Sequence, residues 1–83
     1  MEEIYELNDG HITEAIDRIH VATGYLQAAL SEHALLNGVN EFQIEIDKSI
    51  EILSDLYQKI GGFESITDLS EKYELREGYK IRQ

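Results

Sequence analysis

The sequence predicts an all-α protein, an antiparallel helical hairpin plus a short third helix, dimerising into a four-helix bundle. Three observations carry that expectation. Two stretches of about 20 to 25 residues place apolar side chains at alternating four- and three-residue intervals, the pattern of helices packing side by side. A short Leu36-Asn37-Gly38 joint separates them. Proline is absent and strand signals are weak throughout.

The chain of 83 residues reads as one domain. Residues 1–7 form an N-terminal arm, with Ile4 and Leu7 as its packing residues. Asn8-Asp9-Gly10 is turn chemistry, and Asn8 is the expected cap of a first helix over 8–36. Stepping about 100° per residue from Ile12 puts Ile12, Ile16, Ile19, Thr23, Leu26 and Leu30 within about 40° of one line. Ala15, Ala22 and Ala29 follow along one flank, where small side chains permit close approach. Good helix formers beside a core explain the alanines equally well.

The joint predicts a left-handed stop at Asn37 or Gly38, with Asn40 as the next cap and Gln43 completing its capping box. A second helix then covers 40–60, with Val39, Phe42, Ile46, Ser49, Leu53, Leu56 and Ile60 on its seam. Ile50, Tyr57 and Ile52 widen the apolar arc to about 160°, more than one neighbouring helix fills. That excess is the reason to expect a second copy of the chain. Gly61-Gly62 ends the helix, and Ile66, Leu69 and Tyr73 recur at helical spacing in a short third helix over 65–75, with Ser65 or Thr67 as its cap. The basic tail, 76–83, fits a small hairpin, a continuing helix or disorder.

Charge divides the chain. The formal net charge is −10, made of −12 over residues 1–71 and +2 over 72–83. An acidic body repels phosphate backbones, which argues against direct nucleic-acid binding. The basic tail can fold onto that body or meet a partner. No cysteine is present, so disulfides and thiolate sites are excluded. No apolar run approaches 18 residues and no signal peptide opens the chain, so a cytoplasmic protein without membrane association is expected.

Chemistry-bearing motifs are weak. His11, Glu14, Asp17 and His20 are the best set for a metal, yet their helical angles turn them from the seam toward solvent, and no cofactor or metal is expected. His20 and His33 stand at the seam edges, where a half-buried imidazole would make assembly pH-sensitive, although a core-margin histidine is the commoner case. Gly-rich phosphate loops and nucleophile elbows are lacking, and a helical hairpin offers little concavity for a small-molecule substrate. No catalytic residues are assigned.

The expectation is therefore a non-enzymatic interaction protein that binds another protein, of the adaptor, chaperone-like or phage and plasmid accessory kind known among small helical bundles. Tyr25 with Arg18 on the outer side of the first helix, and Tyr79 in the tail, are the expected partner contacts. The rival reading is an acidic decoy imitating a phosphate backbone. Glu41, Glu45, Asp47, Glu51 and Asp55 would supply its charge, helped by Glu14, Asp17 and Glu32.

Overall fold

A computed structural model describes residues 4–82. It is mostly helical, as an all-α reading requires. In chain order come β1 (Tyr5–Leu7), α1 (Asp9–Ser31), α2 (Ala34–Gly38), α3 (Asn40–Gly61), α4 (Ile66–Lys72) and β2 (Tyr79–Ile81). Residues 1–3 of the arm and Gln83 of the tail lie outside the described residues.

The entry to α1 is built from local polar groups. Asn8 is extended, and its Oδ1 accepts the Gly10 N–H at 2.8 Å. Its own N–H donates to Nδ1 of His11 at 3.0 Å, so a histidine stands where a capping box ordinarily has Glu or Gln. The neighbouring carboxylate reaches further. Asp9 Oδ1 accepts the N–H of Ile66 at 2.8 Å, tying the first turn of α4 to the first turn of α1 across 57 positions of sequence. Ser65 caps α4 in its own right, its Oγ accepting the Asp68 N–H at 3.2 Å.

The first long helix is shorter than the expected 8–36. α1 ends at Ser31, and His33 is extended before the single turn of α2. No cationic side chain stands in the last turn of α1 to satisfy its carbonyls. The break redirects the chain so that Leu36 reaches the start of α3.

The expected left-handed stop at Asn37 and Gly38 is not formed. The one residue with positive φ among those described is Gly78 (φ 93°). The turn is made instead by Val39 in extended conformation (φ −111°, ψ 115°), which becomes the N-terminal cap of α3. Asn40 is thus the first helical residue and caps nothing, and Gln43 Nε2 donates to Asn37 Oδ1 at 3.4 Å. An extended residue before a helix supplies the change of direction that a left-handed residue would have supplied, without its steric penalty.

Packing is uneven along the two long helices. Near the start of α1, Ile12 and Ala15 share a cavity with Leu56 and Ile60 from the end of α3, and with Ile66, Leu69 and Tyr73. Ile12 and Ile66 are the buried hydrophobic residues among those described, at 7% and 6% exposure. Phe63 closes this end, its ring edge-on to Tyr73 with centroids 5.8 Å apart. Near the end of α1 no such cover exists.

The tail is neither a hairpin nor a continuing helix. β2 pairs with β1 in parallel, in the register Tyr5–Tyr79, Glu6–Lys80 and Leu7–Ile81. The two tyrosine rings stack at 5.0 Å, and Lys80 Nζ lies 3.4 Å from Glu6 Oε1. The basic tail thus meets the acidic arm. Short-range signals could not announce this pairing, because its partners are the two ends of the chain.

Two outcomes are expected of stability measurements. Asp9→Ala should lower stability by about 1–3 kcal/mol in urea unfolding and speed exchange of the Ile66 amide, which loses its acceptor in a half-buried site. Gly24→Ala should raise stability by about 0.5–1 kcal/mol, because a Cβ there meets nothing within 4 Å and α1 gains a better helix former.

Candidate protein-interaction surface

The pair of long helices presents two different sides. On one side a small hollow is lined by Ile19, His20, Thr23, Ser54 and Tyr57. Thr23 donates its hydroxyl to Ile19 O at 2.7 Å, and the His20 and Tyr57 rings tilt together at 6.5 Å. The other side is apolar. At one end α4 lies across it. At the other end an open groove of about 510 Å³ runs between the last turns of α1 and the first turns of α3, lined by Leu26, Leu30, Leu36, Phe42, Ile46 and Ile50 with Glu45 and Ser49.

The seam residues read from the sequence divide between these environments. Ile12 is buried, and Ile16, Ile19, Leu26, Leu30, Ile46, Leu53 and Ile60 are half-buried. Phe42 and Leu56 stay exposed, at 40% and 42%. Ile50, which the expected seam set to one side, is half-buried. The face of α3 that meets α1 is therefore turned by roughly 30° from the expected line, which leaves Phe42 and Ser49 at its exposed margin and Leu56 beside α4. Ala15 is covered beside α4, whereas Ala22 and Ala29 lie exposed further along.

The expected partner contacts fall in separate places. Tyr25 is 72% exposed on the outside of α1, one turn from the exposed Val21. Arg18 lies on the same helix, but its guanidinium is engaged by Glu14 at 2.7 Å. Glu ahead of Arg at this spacing is the favourable orientation along a helix. Tyr79 belongs to the stacked pair with Tyr5 at the chain ends, not to the α1 surface. The three residues do not form one patch.

The metal set does not assemble. His11 uses Nδ1 on the Asn8 amide and Glu14 is paired with Arg18, and no cluster of three His, Asp or Glu side chains suited to a metal occurs among the described residues. The acids of α3 behave differently. Glu41, Glu45, Asp47, Glu51 and Asp55 are all exposed, and none takes part in an ion pair among the described residues. No described helix is long and apolar enough to cross a membrane.

Sequence reasoning missed Asp9 as a tether and Leu36 as a groove residue. Helical periodicity carries no signal for either, since one acts through its carboxylate on a distant amide and the other depends on the break at His33. Because Tyr25 is 72% exposed, Tyr25→Ser should leave the unfolding free energy within about 0.5 kcal/mol of the parent. Urea unfolding of the two proteins side by side checks this. No protein-family model, no curated protein and no solved structure matches the chain.

Proposed function

We propose that this chain is a non-enzymatic interaction protein that acts by binding another protein, and that its working form is a homodimer. In this reading α1 and α3 form an antiparallel hairpin, and two hairpins join their apolar sides into a four-helix bundle. The single observation that carries it is the shortage of buried core. Two long helices and a cap leave Phe42, Leu56 and Ile52 in water, with 6844 Å² of surface exposed. A compact monomer of 9.5 kDa exposes about 5,000 Å². The hairpin direction draws support from residue pairing: Ile12 shares a cavity with Ile60, and Leu30 shares a groove with Phe42 and Ile46. Once a second copy covers the groove side, the outward Tyr25 and Val21 are left for a different protein. Aromatic side chains with a polar tip suit that role.

A second reading rests on one specific observation, the five exposed and unpaired acids of α3. Displayed along one rod, they would imitate a phosphate backbone and occupy the basic site of a nucleic-acid-binding protein. Ionic strength separates the two. A decoy complex dissolves between 50 and 500 mM salt, whereas an apolar contact persists.

If the dimer is the folded unit, stability depends on concentration. Raising the protein a hundredfold is worth about 2.7 kcal/mol, and the thermal midpoint of a two-copy unit of this size should rise by about 5–10 °C. Circular dichroism melts at 2 and 200 µM check this, and coincident curves count against the reading. Leu53→Asp, which places a charge in the half-buried seam, should abolish the transition at both concentrations.

A further inference from the structure

We infer that the second copy seats on the open groove between the C-terminal half of α1 and the N-terminal half of α3, leaving the end that carries α4 outside the contact. This rests on the dimer reading above and adds the surface that carries it. Three observations lead there. First, the chain covers its own apolar side at one end only. Ile66 and Leu69 of α4 lie against Ile12 and Ile60, with the Asp9 carboxylate holding the Ile66 amide, so that end is closed by a fixed element. At the other end Leu26, Leu30, Phe42 and Ile46 line a groove that nothing covers. The break at His33 adds Leu36 to it.

Second, the surplus area is large enough. The chain exposes 6844 Å², roughly 1,800 Å² more than expected of a monomer of its mass. A standard interface removes about 800 Å² from each partner. The surplus therefore accommodates an interface of ordinary size between two copies, which a short docked peptide would not fill.

Third, the chemistry suits self-association. Glu45 is the one charged residue among those lining the groove, and no cation is there to read an acidic partner. Apolar surface meeting its own copy about a two-fold axis is complementary without further design. With two buried hydrophobic side chains among the described residues, the chain gains stability from any copy that covers this groove. Another copy of itself is the one partner present in equal amount at every moment of synthesis.

Labelling and sedimentation test the seat in the full chain. Ser49 is exposed in the groove and Lys59 is exposed beside α4, and the parent has no cysteine. Single-cysteine variants Ser49→Cys and Lys59→Cys should differ. Maleimide labelling of the first should slow at least tenfold between 1 and 300 µM protein, while labelling of the second stays constant. Phe42→Glu and Ser49→Lys should sediment as folded monomers, with helical circular dichroism retained at high concentration, whereas Tyr25→Glu should remain dimeric. Salt adds a signature of like-charged copies: the dimer should tighten by at least a hundredfold from 50 to 500 mM NaCl. A parent protein that stays monomeric at 300 µM overturns both the dimer reading and the seat. A parent dimer in which Lys59→Cys is shielded and Ser49→Cys is not overturns the seat alone, and so does a dimer that survives both groove substitutions.

Discussion

How little apolar surface this chain hides within itself is the constraint on which the rest depends. Helices contribute stability mainly through a packed face, and a pair of rods in contact along one line buries only a stripe of each. Here the stripe is Ile12, Ile16, Ile19, Leu26 and Leu30 against Ile46, Ile50, Leu53 and Ile60, and all but Ile12 remain partly in water. The radius of gyration shows the same thing, 16.6 Å where a compact chain of this length has about 12 Å. α4 improves matters locally. Its seven residues add a third layer over the α1–α3 line, and there Ile12 and Ile66 become buried. The Asp9 hydrogen bond is significant because it fixes which end of the pair receives that layer.

The chain ends reinforce the same end of the molecule. A two-stranded parallel sheet of three residues per strand is too small to stand alone. Stacked Tyr5 and Tyr79, the exposed Lys80–Glu6 pair and the attraction of a basic tail for an acidic arm hold it, each worth no more than about 1 kcal/mol. Leu7 continues from the strand into the cavity beside Ile12 and Tyr73, so the pairing also seats an apolar side chain under α4. Strands, cap and third layer thus gather at one pole, and the opposite pole is left bare.

Legibility followed the range of the forces. Periodicity in a single helix is a local property, so the half-buried line of α1 could be read directly from Ile12 to Leu30. The Ser65 cap was equally local. The turn near Gly38 was misread because glycine permits positive φ without requiring it, and extended Val39 redirects the chain at lower steric cost. On α3 the apolar arc is wide enough that several seams fit it, and the choice of Ile50 over Phe42 as the inward residue depends on where α1 lies. β1 and β2 could not be foreseen, since three-residue strands are too short to show alternation. The interaction residues were the least legible. Tyr25 and Tyr79 resemble each other as letters, and only the fold shows that one is bare while the other is stacked.

Self-association of so acidic a chain raises an electrostatic objection, and magnitudes decide it. Each copy carries a formal charge of −10 and is 18 Å thick in its shortest direction. Two such charges at that separation repel by about 23 kcal/mol in pure water. A screening length of about 8 Å at physiological ionic strength reduces this to roughly 2 kcal/mol. Against it stands an interface of about 1,600 Å² with about 60% apolar area, worth a gross 24 kcal/mol or so. Immobilising two bodies costs about 4–15 kcal/mol of that. The charge is therefore no barrier to the proposed dimer at cellular salt, whereas unscreened repulsion would outweigh the contact at very low salt. Along α3, Glu41, Asp47, Glu51 and Asp55 point away from the line that meets α1, and Glu45 alone borders the groove. In the proposed dimer, acids so distributed would leave the apolar side to one neighbour and oppose further growth on the outer sides.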